Sequence, residues 1–194
     1  MKIEVSEEKA PDLQEYAQIR MSFEVGQVLD VAVLSHGLGG LTLSERRLPV
    51  PFLKDYDAIE SPLQWRQSFD MSKWAFFVAR AEGTRLGGAV VAFDTAGLTM
   101  LENRRDIAVL WDIRVVSEAR RQGVGVALFK GAEKWAVAHG CRRLKVETQN
   151  INVPACRFYA SQGCVLGAIH RFAYPDFPNE TQLLWYKDLT FETG

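Results

Sequence analysis

The sequence predicts a mixed α/β domain with a partly parallel sheet, and three observations carry that expectation. A near-continuous apolar run from Ile107 to Val115, interrupted by Asp112 and Arg114, reads as a buried strand. Apolar residues then recur at Val124, Ala127, Leu128, Gly131, Trp135 and Ala138, one face of a long helix between Gly123 and Gly140. Arg143 to Thr148 follows as a second strand, and strand, long helix, strand is the order that gives a parallel pair.

The other elements follow in order. Ile3 to Val5 reads as a short strand and Pro11 to Arg20 as a helix. Ser22 to Val33 alternates loosely through Phe23, Val25, Val28, Leu29, Val31 and Val33, which suits a strand. His36 to Gly40 is a turn, and Leu41 to Leu48 a strand that Pro49 and Pro51 are expected to end. Ser61-Pro62 has the form of an N-cap and a first-turn proline, opening a short helix through Leu63, Trp65 and Phe69. Trp74 to Ala81 and Gly87 to Phe93 form a hairpin around Glu82-Gly83-Thr84. Asn152 to Gln162 reads as a helix, and Val165 to Phe172 with Gln182 to Trp185 as closing strands.

Composition bounds the function. A length of 194 residues, 47% apolar and 24% charged, fits one domain with a full core, residues 1–194. A net charge of -1 supplies no basic field for nucleic acid. The cysteines at 141, 156 and 164 have no framework or metal spacing, so they read as free core thiols in a reducing compartment, with no metal. MKIEVSEEKAPDL has no apolar signal core and no apolar run is long enough to span a bilayer, so a soluble, cytoplasmic protein is expected.

Between the buried strand and the long helix lies Arg120-Arg121-Gln122-Gly123-Val124-Gly125. A helix start offers unpaired backbone N–H groups and the positive end of the dipole. Glycines at 123 and 125 admit a phosphate to the backbone, and Arg120 and Arg121 can add charged hydrogen bonds. The arrangement suits a pyrophosphate. No Gly-Lys-Ser/Thr follows, and the dinucleotide spacing G-x-G-x-x-G is absent.

The run Ile113-Arg-Val-Val-Ser-Glu-Ala-Arg-Arg-Gln-Gly-Val-Gly125 resembles the signature of GNAT N-acetyltransferases. Asn152-Val-Pro-Ala-Cys-Arg-Phe-Tyr-Ala-Ser-Gln-Gly163 resembles that family's second motif, N-x-x-A-x-x-F-Y-x-x-x-G. The resemblance covers about residues 74–187. It implies a GNAT fold: a mixed sheet of six or seven strands flanked by helices, with a splayed central strand pair. It implies acetyl-CoA as co-substrate, the pyrophosphate on Arg120 to Gly125 with Val126 beside it, and the pantetheine arm along Ile113, Arg114 and Val115. The Val115 N–H would stabilise the developing oxyanion. Asn152 would contact the pantetheine, and Ala155 and Phe158 would line its channel.

Acyl transfer to an amine moves two protons. By the same resemblance Tyr159 is the acid beside the CoA sulfur. Glu147, five residues before Asn152 and twelve before Tyr159, is similar to the base of ribosomal-protein N-terminal acetyltransferases. Binding a cationic substrate, or pairing with Lys145 or an arginine, would also account for it. Asp112 is the second candidate base, because an acid within an apolar strand is costly unless paired or functional; a bridge to Arg114 or Arg143 explains it equally.

The acceptor is suggested by a narrower resemblance. Glu147 to Tyr159, Gly163-Cys-Val-Leu-Gly-Ala-Ile, Asn179-Glu-Thr and Leu184-Trp-Tyr186 look like streptothricin acetyltransferases, which modify an amine of a polycationic antibiotic. Asp55, Tyr56, Asp57, Glu60 and Trp65, within residues 1–73, are the expected acceptor-binding groups, though Arg46, Arg47 and Lys54 intervene. Protein N-terminal or lysyl acetylation, and a non-catalytic acyl-CoA-binding module, are the alternative readings. The oligomeric state is open, a homodimer included.

Overall fold

The computed structural model describes residues 2–9 and 11–189. In chain order the elements are β1 (Glu4–Glu7), α1 (Leu13–Ala17), β2 (Ser22–Val33), β3 (Leu41–Asp55), α2 (Trp65–Ser68), β4 (Ala75–Ala81), β5 (Thr84–Ala92), β6 (Ile107–Val115), α3 (Val124–Ala138), β7 (Arg143–Gln149), α4 (Val153–Ser161), β8 (Val165–His170) and β9 (Gln182–Asp188). Seven strands form a mixed sheet in the order β1-β4-β5-β6-β7-β9-β8, and β2 with β3 forms a separate ribbon. The β6–β7 pair is parallel, while β1–β4, β4–β5, β5–β6 and β8–β9 are antiparallel. The α/β class expected from the β6-α3-β7 order is therefore what forms. The chain divides into two compact units, Met1–Met21 with Tyr56–Val146 and Lys187–Gly194, and Ser22–Asp55 with Glu147–Tyr186.

In the first unit α3 packs on β4, β5 and β6. Its buried residues are Val124, Leu128, Phe129, Ala132 and Ala136. The expected stripe is thus rotated: Ala138 is exposed and Trp135 half-buried, the latter stacked on His139 with centroids 3.7 Å apart. Burying the Phe129 ring removes far more apolar area from water than the Ala138 methyl could, so the helix turns that way. Between β4 and β5, Glu82 at φ 49 and Gly83 at φ 80 make the tight turn expected of Glu82-Gly83. Helix α1 is shorter than the expected 11–20. The Ile19 carbonyl accepts from Arg114 Nη1 at 3.1 Å and the Met21 N–H donates to Asp57 at 2.8 Å, so tertiary bonds hold the chain that leaves α1.

In the second unit β3 does not stop at its prolines, correcting the expected boundary at Leu48. The β2–β3 register passes from Gln27↔Arg47 to Val25↔Phe52, so Pro49 and Pro51 fall within an irregularity where no ladder N–H is required. The Asn150 backbone accepts from Leu29 N–H and its side-chain amide donates to the Leu29 carbonyl, both at 2.9 Å. Asn150 Oδ1 accepts from Thr181 N–H at 2.8 Å. A small apolar core of Val25, Val28 and Ile151 closes beside it.

Candidate active site

Two features of the first unit concern the turn after β6. The β6–β7 ladder runs only from Ile107↔Arg143 to Leu110↔Val146, although β6 continues to Val115. Trp111 has no partner between Val90↔Asp112 and Val91↔Leu110, so a bulge marks the place where the ladder ends. Beyond it, Val116 N–H donates to Leu86 and the Arg114 carbonyl lies against Gly87 of β5. Alternation along the strand then turns the Val115 N–H to the opposite edge. The Val115 carbonyl, on that same edge, accepts from Arg120 Nε at 3.1 Å.

The second feature is the turn itself. Arg121 at φ 60 and Gly123 at φ 89 bring the chain round into α3. Gln122 Nε2 donates to the Glu118 carbonyl at 2.6 Å, bracing the loop with its own side chain. Gly123 is the N-cap residue of α3 and carries no side chain to cap it, whereas Asp12 caps α1 and Asn152 caps α4. The first N–H of this stretch to bond back is that of Ala127, to the Gly123 carbonyl. Val124, Gly125 and Val126 therefore present helix-start donors, with Arg120, Arg121, Gln122 and Gly123 exposed around them.

Asp112 lies in a buried network. Its carboxylate accepts from Arg114 Nε at 2.9 and 3.1 Å and from Nη2 at 2.9 Å, and the Tyr16 hydroxyl donates to it at 2.7 Å. Arg114 Nη1 also donates to Asp57 at 2.7 Å. Burial raises Asp112 above the ordinary carboxylate range, although Arg114 and the Tyr16 hydrogen bond pull it back. Burial also raises the Tyr16 phenol, with Asp112 adding to it. Of the two bridges anticipated for Asp112, the one to Arg114 forms; Arg143 instead pairs with Asp188 at 2.7 Å.

The acidic, aromatic stretch does not act as one surface. Asp57 turns inward to Arg114, and Trp65, 3% exposed, packs in the core with its ring 5.9 Å from Tyr16. Asp55 and Tyr56 are half-buried and Glu60 is exposed. Sequence reasoning had no signal for Tyr16 as a partner of Asp112, since a tyrosine at helical spacing looks the same whether it meets lipid-like core or a carboxylate.

In the second unit Glu147 has both oxygens engaged. Tyr174 donates to Oε1 at 2.6 Å and Gln182 Nε2 to Oε2 at 2.8 Å, while Gln149 Nε2 donates to the Tyr174 hydroxyl at 2.9 Å. Neither Lys145 nor an arginine is its hydrogen-bond partner; Lys145 pairs with Glu102 at 2.7 Å. Tyr174 and Gln182 were not singled out from sequence, because Tyr174 lies in an irregular segment without periodicity. On α4, Asn152 Oδ1 accepts from Ala155 N–H at 3.2 Å. Ala155 and Phe158 are half-buried, and Tyr159 is buried with its ring edge-on to Phe158 at 5.4 Å. Burial pushes the Cys141 thiol up to about 11 and the Cys156 thiol up to about 12, as expected of core thiols. Among the described residues no group of three or more His, Cys, Asp or Glu could hold a metal ion. No helix among them is long and apolar enough to cross a membrane.

A mixed sheet with a parallel β6–β7 pair, a strand edge that outlasts its ladder and an uncapped, glycine-led helix start make an α/β fold with an anion seat at a helix N-terminus. Residues 43–164 match the model of the Acetyltransferase (GNAT) family, and the chain belongs to that family. It is 29% identical over 150 residues to streptothricin acetyltransferase A of Bacillus subtilis (strain 168), covering 76% of this chain and 80% of that protein. It is 37% identical over 103 residues to a streptothricin acetyltransferase of Escherichia coli, covering 51% of this chain and 59% of the relative. Its fold matches, with a TM-score of 0.75, that of a Bacillus anthracis str. Ames protein solved in complex with acetyl coenzyme A. That match is 23% identical and covers 96% of this chain and 99% of the other.

Proposed function

We propose that this chain transfers the acetyl group of acetyl-CoA to a primary amine of a small, cationic, streptothricin-like molecule, by direct attack while both substrates are bound. The observation that carries the reading is the start of α3. An uncapped helix N-terminus, led by Gly123 at φ 89 and flanked by exposed Arg120 and Arg121, suits a diphosphate. Family membership and the names borne by the relatives support the donor and the acceptor class.

The proposed roles follow from the chemistry. Arg120, Arg121, Gln122, Gly123, Val124, Gly125 and Val126 hold the pyrophosphate. Ile113, Arg114 and Val115 carry the pantetheine along the backbone of β6, and Asn152, Ala155 and Phe158 also contact it. Glu147 takes a proton from the substrate ammonium, and the neutral amine then attacks the thioester carbon. The Val115 N–H stabilises the oxyanion as the C–N bond forms. The C–S bond breaks, Tyr159 protonates the departing sulfur, and the nitrogen releases its second proton to solvent, giving an amide and CoA. Asp55, Tyr56 and Glu60 serve the cationic acceptor. On this reading residues 1–194 are one N-acetyltransferase, with 74–187 carrying acetyl-CoA and 1–73 serving the acceptor.

The test is acetyl-CoA consumption against a panel of streptothricin, polyamines, aminoglycosides and peptides, with product mass measured. Streptothricin should give the highest kcat/KM and gain one acetyl group on an amine. Turnover confined to peptides would replace the acceptor assignment, and no turnover with any amine would remove the catalytic one.

A further inference from the structure

We propose that Tyr16, Asp57, Asp112 and Arg114 are positioning residues: their buried network fixes the last residues of β6, so that the peptide joining Arg114 to Val115 holds one orientation. The inference rests on the proposed function for its catalytic consequence, since it is the N–H of that peptide which is assigned to the oxyanion.

Beyond Leu110 the strand has lost its ladder to β7 and keeps only β5 as a backbone neighbour. A strand tethered on one side, just after a bulge, is free to twist unless side chains hold it. The Arg114 side chain, 2% exposed, supplies that hold in three directions. It chelates Asp112 on its own strand, meets Asp57 from the segment after β3, and donates to the Ile19 carbonyl at the end of the α1 segment. Tyr16 of α1 closes the ring by donating to Asp112, and the Met21 N–H and Arg20 join at Asp57.

The backbone is shaped to the same arrangement. A Cβ on Gly88 would lie 2.6 Å from the Tyr16 ring, so only glycine on β5 lets the tyrosine reach across. A Cβ on Gly87 would lie 2.5 Å from the Arg114 carbonyl oxygen, so β5 presses against the very peptide plane whose other end is the Val115 N–H. Buried ion pairs are seldom more stabilising than apolar packing, and their best-attested use is to select one geometry. Donors aimed at a developing charge act only when they do not have to reorganise, which gives that geometry its value.

Tyr16→Phe removes one hydroxyl and leaves the ring. The expected result is a loss in kcat of roughly tenfold, the size of one lost hydrogen bond to a charged group, with KM and Kd for acetyl-CoA within about twofold. An unchanged kcat accompanied by a lower Tm would mean that the network is merely structural, and overturns the proposal. Hydrogen exchange needs no acceptor and so separates this idea from the function. Protection of the Asp112, Arg114 and Val116 amides should fall about tenfold in Tyr16→Phe while that of α3 is unchanged. Uniform loss across the first unit, or none in β6, overturns the network. Should Tyr16→Phe fail to fold, Asp57→Asn supplies the same readout, since it removes one carboxylate charge from Arg114 and keeps the side-chain shape. The protection factors of those three amides should drop while those of α3 hold. Equal loss in β6 and α3 would overturn the proposal. An inactive wild-type protein whose variants show this exchange pattern would sink the enzyme assignment, not the network.

Discussion

Gly123→Glu tests the diphosphate seat most directly, and the structure separates its two costs. Gly123 sits at φ 89, so any side chain there strains the backbone by about 1–2 kcal/mol. Space is not limiting, because an added Cβ would come no nearer than 3.9 Å, to Ile3 Cδ1. Gly123→Ala therefore isolates strain: a stability loss of about 1–2 kcal/mol by urea unfolding, with little change in CoA affinity. Gly123→Glu adds a negative charge. At a spacing of about 5 Å and an effective dielectric near 20, repulsion from one phosphate charge is about 3 kcal/mol. That corresponds to roughly a hundredfold weaker Kd, a penalty that should shrink with added salt. Titration calorimetry with CoA at two salt concentrations reads both quantities. Equal Kd values for wild type, Ala and Glu would refute the assignment of the turn, whatever the effect on folding.

Glu147→Gln should lower kcat by about two orders of magnitude and leave the CoA Kd unchanged, since only proton removal is lost; equal turnover would leave Glu147 a binding role or none. Tyr159→Phe should reduce kcat more than CoA affinity, by about tenfold to a hundredfold, and a purely affinity-based loss would take Tyr159 out of the acid role. The native protein should resist iodoacetamide at the Cys141 and Cys156 thiols until unfolded, because burial pushes them up to about 11 and about 12; rapid labelling of the folded chain at either would contradict their packing. Asp112 is raised by burial, so its contribution to stability is present below the ordinary carboxylate range and lost as pH rises through its raised value. The stability of wild type relative to Asp112→Asn should accordingly shrink with rising pH, and a difference that grows would show that the pair with Arg114 outweighs burial.

What could be read in the sequence was local. Ser22–Val33 and Ile107–Val115 were predicted to the residue, and Ser61 with Gln64 makes the N-terminal cap that Ser61-Pro62 announced. Those features depend on alternation, on a cap and on a fixed φ, all carried by neighbours in the chain. What could not be read depends on partners far away. The prolines of β3 looked like terminators because nothing at 47–52 reveals that the opposing strand offers a single residue, Gly26, to the irregularity. The face of α3 was misjudged because periodicity weighs an alanine like a phenylalanine, and packing does not. Asp57 looked like a group awaiting a substrate, yet the guanidinium that occupies it comes from Arg114, 57 positions away, whereas the bridge from Arg114 to Asp112 was one of the readings the sequence allowed. Glu147 was found by resemblance, whereas Tyr174, 27 positions on, lies where no pattern points.

The prolines have one more effect. In the β2–β3 ribbon Asn150 bonds to Leu29 of β2, while β3 shows the solvent Val50 at 77% and Leu53 at 70% exposure. Sticky, unpaired strands of that kind recruit other chains into continuous sheets. Pro49 and Pro51 have no N–H to offer an incoming strand, and the uneven register around them breaks the regular spacing that such growth needs. The stretch that defeated the boundary prediction thus makes β3 a poor template for an added strand.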